Sequence, residues 1–387
     1  MKRTKQYIEN MPIIYLMIVL FCMNLLGRGS IVCLACGLLS LLLINRHLRF
    51  DRTALLLLIF TVLSALASFM FESAMEAVKC LNFVIMYLVG SNALRMARDK
   101  DTFIRRAIFS MFLGYFLLVA LTYFSNLDDV SVSGQRLIRN FWTGEYVSVT
   151  IVGLLSSVVI GYFFYAVISG RAWLRIVGVA SIAVVFLVNS MTATRTPIIL
   201  FAILALVMSA VYIFTSRRSS ARPFLLILLI LAVLGVLYAT DTFGIRTVVE
   251  STPIYKRFEA EGTQTDRFAV AREYLSIMLD HPFGGSAAYA RIGVLAHNFL
   301  QQGYDLYGLP AGVILLVLLV LFARNVLTLI RRVDKRPVDY LLISMYIAMI
   351  IQSFLEPIFT GYPCFFFSLL FMHGMTNEYL RHADEVS

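Results

Sequence analysis

Residues 296–324 read AHNFLQQGYDLYGLPAGVILLVLLVLFAR. A polar opening with one histidine gives way to a run that carries no charge from Leu306 to Ala323. A helix needs about 20 mostly apolar residues to cross the hydrocarbon core of a bilayer. The run meets that length, and runs like it recur along the chain. No water reaches their backbone groups inside lipid, so helices are the element that can satisfy them. This one stretch therefore sets both questions: the membrane fold, and the purpose of a titratable group at its edge.

The rest of the composition agrees with a membrane protein. Of 387 residues, 60% are hydrophobic and 14% charged, with a mean hydropathy of +0.82. No soluble domain of this length has such a balance. The formal charge of +10 is a record of membrane orientation rather than of nucleic-acid binding. The cysteines Cys22, Cys33, Cys36, Cys80 and Cys364 lie in or beside apolar runs, where neither a disulfide framework nor a metal cage is expected. The first apolar run follows Met1–Lys5 without a small-residue cleavage site and reads as a retained helix.

Hydropathy places about twelve spans, near 11–26, 30–45, 53–71, 76–94, 107–124, 147–168, 173–190, 196–215, 223–239, 307–327, 338–356 and 360–376. The expected fold is an all-α polytopic bundle over 1–387, with a long loop before the tenth span. Basic clusters alternate along it. Arg46, Arg49 and Arg52, then Arg95 to Arg106, Arg171 and Arg175, Arg217 to Arg222, and Arg324 to Arg336 fall on one side. That side is cytoplasmic by the positive-inside bias, and both termini lie there. Arg28 and Arg195 are the exceptions in the short loops of the other side.

The longest outer segment, 240–304, holds DRFAVAREYLSIMLD at 266–280. Phe268, Ala271, Leu275 and Met278 recur at helical spacing, with Arg267, Arg272 and Glu273 on the polar side. An amphipathic helix is expected, with Thr265 as N-cap and His281-Pro282 as its end. Further on, Asn298 is placed to cap a short helix carrying Phe299, Leu300 and Tyr304, which Gly308 ends before Pro310 opens the next span. His297 stands at the base of that helix. A lone histidine is often a hydrogen-bonded structural residue, but at neutral pH it is also the natural general base.

Several arginines have no topological explanation. Arg195 lies in the polar break NSMTATRTP (189–197), where Pro197 suits the first turn of a helix capped by Thr194 or Thr196. Helix N-termini attract anions, and an arginine there makes a phosphate site; the bland alternative is an interfacial arginine reaching lipid headgroups. Arg136 and Arg139 lie in SGQRLIRNFWTGEY, and Arg267, Arg272 and Arg291 in the long loop. Such cations suit a diphosphate carried on a membrane lipid, although acids such as Glu250, Asp266 and Asp280 are there to pair some of them. Glu76 and Lys79 read as an ion pair. Glu356, before Pro357, is a second candidate acid or base.

Taken in order, three motifs resemble the O-antigen ligase and Wzy-type polysaccharide polymerase superfamily. They are TATRTPIIL, where an arginine opens a span; DRFAVAREYLSIMLDHPFGGS, a loop arginine followed by a proline and glycines; and HNFLQQGYDLYGLPAG. Together they cover roughly 189–320. Thr194 stands where the family usually has serine, and Asp305 lies three rather than two residues before Gly308.

The resemblance implies a GT-C-like, inverting glycosyltransferase at the outer face of a bacterial cytoplasmic membrane. The donor is a glycan on undecaprenyl diphosphate. The acceptor is another lipid-linked repeat unit in a polymerase, or lipid A–core in a ligase. His297 would be the catalytic base, with Arg195, Arg136, Arg139, Arg267 and Arg291 as diphosphate ligands and Asn298, Arg272 and Glu356 as secondary candidates. No cofactor and no metal are implied, and no outer loop carries a D-x-D. A chain-length regulator and a flippase would be further partners. A transporter is the competing class, but it calls for mid-membrane charges and related halves, and no internal repeat is visible.

Overall fold

A computed structural model describes residues 12–44, 48–126, 137–169, 171–215, 236, 238–241, 244–261, 267–333 and 335–386. The helices are α1 (Pro12–Cys22), α2 (Gly29–Ile44), α3 (Arg52–Phe71), α4 (Ala74–Lys79), α5 (Asn82–Met96), α6 (Lys100–Phe124), α7 (Thr150–Ile168), α8 (Ala172–Met191), α9 (Thr196–Thr215), α10 (Ile245–Ser251), α11 (Pro253–Glu261), α12 (Arg267–Ile277), α13 (Ala287–Ile292), α14 (Phe299–Tyr307), α15 (Leu309–Arg331), α16 (Pro337–Ser353) and α17 (Pro363–Val386). Among the described residues seven helical stretches are long and apolar enough to cross a bilayer: α3, α4–α5, α6, α7, α8, α9 and α15. Helices α1, α2 and α16 are shorter apolar ones. The chain is a helical, multi-pass membrane protein.

The chain divides into two compact units, one of residues 1–118, 266–327 and 353–387, the other of 119–265 and 328–352. In the first, α5 and α17 form the axis. Their backbones touch at two glycines. A Cβ on Gly90 would stand 2.0 Å from the Phe371 carbonyl oxygen, and one on Gly374 would stand 2.2 Å from that of Tyr87. Small residues are what let helices in lipid approach this closely, because apolar side chains gain little from leaving lipid for protein. Below this crossing a buried polar chain locks α3, α5, α15 and α17 together. Tyr87 donates to Asp51 (2.8 Å), which also accepts from Arg381 (3.1 Å) and from the Ala54 amide at the start of α3. Asn377 donates to Tyr87 and accepts from Asn325, beside the fully buried His373.

In the second unit α7, α8 and α9 pack together, and Asn189 of α8 donates to Ser156 of α7. Strands β1 (Leu137–Arg139) and β2 (Tyr146–Ser148) form an antiparallel hairpin with Ile138 opposite Val147. Asn126 fastens the hairpin, bonding both backbone groups of Arg139.

Three expectations change. The first apolar run stops being helix at Cys22, because Asn24 and Leu26 are left-handed and the Asn24 side chain turns to accept from the Gly29 amide at the head of α2. The 240–304 segment contains α10, α11 and α13 besides the two expected helices, α12 and the start of α14. Helix α12 also carries a second apolar face that its periodicity does not single out. Tyr274 and Ile277 are buried, while Phe268 and Leu275 are exposed. The span expected at 223–239 lies almost wholly outside the described residues, as do Thr265 and Arg136. Glu76 and Lys79 do form an ion pair, on α4.

The α5–α17 crossing is open to test. Gly90→Ala and Gly374→Ala should each lower stability by roughly 1–3 kcal/mol, the usual range for overpacking. Thermal unfolding of detergent-purified protein reads this, and unchanged midpoints would mean that the helices do not meet at these glycines.

Candidate functional site

The first unit gathers its unusual chemistry at one end, around α14. Asn298 is the N-cap of that helix: its side-chain oxygen accepts from the Gln301 amide at 2.9 Å. Gly308 ends it with φ +90°, a conformation that costs an L side chain strain, and α15 begins at once. His297 is thereby fixed one residue ahead of a capped helix. On its other side Ala296 is buried with Tyr274, Ile277, Ala288 and Tyr304 in a small core. Tyr274 ties that core by donating to the Val294 carbonyl, and Tyr304 by donating to that of His281.

The connection between α16 and α17 is stitched to α14 by one side chain. Gln302 donates to Thr360 and accepts from the Phe359 amide, both at 2.7 Å. Phe299 adds an edge-on contact with Phe354. These contacts bring Glu356 to His297, with Oε2 4.0 Å from Nδ1. The Glu356 side chain is 2% exposed and that of His297 29%. A buried carboxylate needs a cation or several donors to stay charged. Arg267, at the head of α12, supplies one: Nη2 lies 3.2 Å from Glu356, and Nη1 donates to the Leu355 carbonyl at 2.6 Å. The same helix is held to α14 where Gln301 donates to the Ala271 carbonyl.

This arrangement can handle a proton. A carboxylate facing Nδ1 favours the tautomer that carries its proton there, which leaves Nε2 as the acceptor. It also stabilises the imidazolium once formed. At 4.0 Å the two groups are within ion-pair reach and not hydrogen-bonded to each other; catalytic contacts of this kind often tighten only when substrate binds.

The other expected residues are placed as follows. Arg272 is exposed on α12, and Arg291 is exposed in the last turn of α13. Within the second unit Arg195 stands immediately before α9, after a left-handed Ala193 (φ 52°). Arg139 lies on β1 with its guanidinium over the Tyr146 ring. Sequence reasoning missed Arg257 on α11, which donates to the Ala193 carbonyl at 2.8 Å, two residues from Arg195. Its only signal was a basic residue in a loop where topology calls for none. Among the described residues no cluster of three His, Cys, Asp or Glu side chains is arranged to hold a metal ion.

Asp305, on α14, is a second buried acid, and its role is different. It accepts from the Ala288 and Tyr289 amides, closing the head of α13. Burial pushes its pKa up, and the two amide hydrogen bonds only partly oppose this.

Compared with protein-family models and with curated proteins, the chain matches none.

Two outcomes follow from the buried acids. Arg267→Ala should destabilise the protein by about 3 kcal/mol by leaving Glu356 without its cation. Adding Glu356→Gln should restore part of that loss, and a double-mutant cycle on thermal unfolding in detergent reads the coupling. For Asp305 the folded pKa lies above the unfolded one, so the folded state holds the proton more tightly between the two. Its contribution is greatest below the unfolded carboxylate pKa and is lost as pH rises through the folded value. Asp305→Asn should therefore flatten that part of the stability–pH curve. A curve of unchanged slope would refute the assignment.

Proposed function

We propose that this protein is a membrane glycosyltransferase that joins lipid-linked oligosaccharide repeat units into a polysaccharide. In this reading the chain has twelve spans in a GT-C-like arrangement, both termini are cytoplasmic, and the His297 centre opens on the outer face of the membrane. The observation that carries the proposal is the meeting of His297 with Glu356, from segments 59 residues apart, on a buried carboxylate held by Arg267. A soluble nucleotide-sugar domain is not needed, because the leaving group is the lipid diphosphate itself.

The reaction is one inverting displacement. The acceptor hydroxyl attacks the anomeric carbon of the donor glycan as the bond to the diphosphate oxygen breaks. His297 takes the hydroxyl proton on Nε2, and Glu356 steadies the imidazolium. The departing diphosphate gathers negative charge, so cations that engage it more strongly in the transition state contribute to catalysis. Arg195 is the first candidate, since it adds its charge to the positive end of the α9 dipole. Arg136, Arg139 and Arg291 are further candidates. Arg267 acts through Glu356 in this account. Holding two lipid-anchored substrates together supplies orientation.

The test is transfer by purified protein given undecaprenyl-diphosphate-linked repeat units, with product length followed by gel or mass spectrometry. His297→Ala should cost roughly 10²–10⁴-fold in rate, the usual share of a general base. Arg195→Ala should cost roughly 10²–10³-fold, as removal of one charge-stabilising donor does. Both variants should still insert. Full activity in the two variants would defeat the assignment, and transfer to lipid A–core in place of chain growth would make the protein a ligase.

A further inference from the structure

Helix α12 buries one face and leaves another apolar face bare. Phe268 is 86% exposed, Leu275 60%, Leu279 79% and Phe283 80%. The first three lie at i, i+7 and i+11, which is one stripe of a helix and its continuation. Patches of this kind on a protein surface mark a site of interaction.

The surroundings indicate the occupant. Pro282 accepts from the Leu309 amide, the first residue of α15. A Cβ on Gly285 would lie 2.9 Å from the ring of Phe71, the last residue of α3. The turn after α12 is therefore seated on the ends of two spanning helices. The outward faces of those helices, Phe69 and Met70 on α3 and Val313 and Leu316 on α15, are bare in the same way, as the sides that spanning helices turn to lipid are. The twenty residues of α3 rise about 30 Å, the thickness of the hydrocarbon core. Phe71 thus marks the edge of that core, and Gly285, two residues after Phe283, stands beside it. The bare stripe continues the lipid-facing belt into the headgroup layer. Arg272, exposed between Phe268 and Leu275, has a stem long enough to carry its charge to lipid phosphates.

We infer that α12 is an interfacial helix whose Phe268–Leu275–Leu279–Phe283 stripe is seated in the lipid of the membrane surface. The helix would then couple membrane to site, because its first residue, Arg267, holds Glu356 and its Ala271 carbonyl receives Gln301.

The test uses the full chain in phosphatidylcholine–phosphatidylglycerol nanodiscs. A bimane fluorophore on Leu275→Cys or Leu279→Cys should lose about two-fold or more of its emission to a spin label on a headgroup-proximal acyl carbon, as an interfacial helix requires. Aqueous iodide should quench it weakly. A fluorophore on Glu273→Cys should show the reverse order. Wild-type protein treated with the same reagent gives the background from Cys36, the native cysteine that is not buried. Strong iodide quenching at 275 and 279 would overturn the inference, and so would protection from both quenchers, which means a protein cover. Unmodified protein gives a second reading. A photoactivatable lipid should cross-link within 268–283 as it does on α3, and labelling of α3 alone would also overturn the proposal. Neither readout depends on glycan transfer, so this inference and the proposed reaction stand or fall separately.

Discussion

The close approach of α5 and α17 is the constraint on which the first unit rests. In lipid, apolar side chains gain nothing by meeting one another rather than acyl chains, so helices need backbone contact or hydrogen bonds to choose a partner. Gly90 and Gly374 permit the contact. The hydrogen-bonded set of Asp51, Tyr87, Asn377 and Arg381 then fixes register at one end. At the other end the same axis delivers the start of α17, and with it the connection that carries Glu356 and Thr360.

That connection is held by Arg267, by Tyr362 and by α14. Gln302 uses both ends of its amide to hold it, accepting from a backbone amide and donating to a hydroxyl. The result places a carboxylate where water hardly reaches. An ion in such a place costs several kcal/mol unless a counter-charge compensates. The counter-charge comes from α12, a helix too short to span the bilayer. Assembly of the centre therefore depends on a helix that α14 and the small core around Tyr274 hold on one side, while its bare apolar stripe points to the membrane surface on another.

Much of this was legible in the sequence. Hydropathy located the described spans closely, because length and apolarity are what a bilayer demands. The cap at Asn298, the stop at Gly308 and the break around Arg195 were legible because each rests on local backbone chemistry. What hid from the sequence was of a different kind. The Arg267–Glu356 pair joins residues 89 apart, and no local rule forecasts such a meeting. The buried face of α12 was not singled out because the helix carries apolar residues on two sides. Periodicity cannot say which side meets protein and which meets lipid, and the Tyr274 hydroxyl, with its bond to Val294, settles the matter only in three dimensions.

Two buried acids, one on α14 and one on the connection between α16 and α17, invite confusion over which belongs to the chemistry. Asp305 and Glu356 are buried alike, at 4% and 1% exposure. Their partners separate them. Asp305 is met by the Ala288 and Tyr289 amides, fixed dipoles that a proton-transfer step would disturb at the cost of the α13 head. It serves as a brace, and α14 carries it on the side that packs against the loop core. Glu356 is met by a guanidinium and stands beside an imidazole. A charge created on His297 would lower the energy of that group and ask nothing of the backbone. Of the two carboxylates, only Glu356 sits where a proton arriving at the histidine changes the electrostatic balance without unravelling a helix. That is why the proposed reaction runs through His297 and Glu356, while Asp305 keeps the scaffold in place.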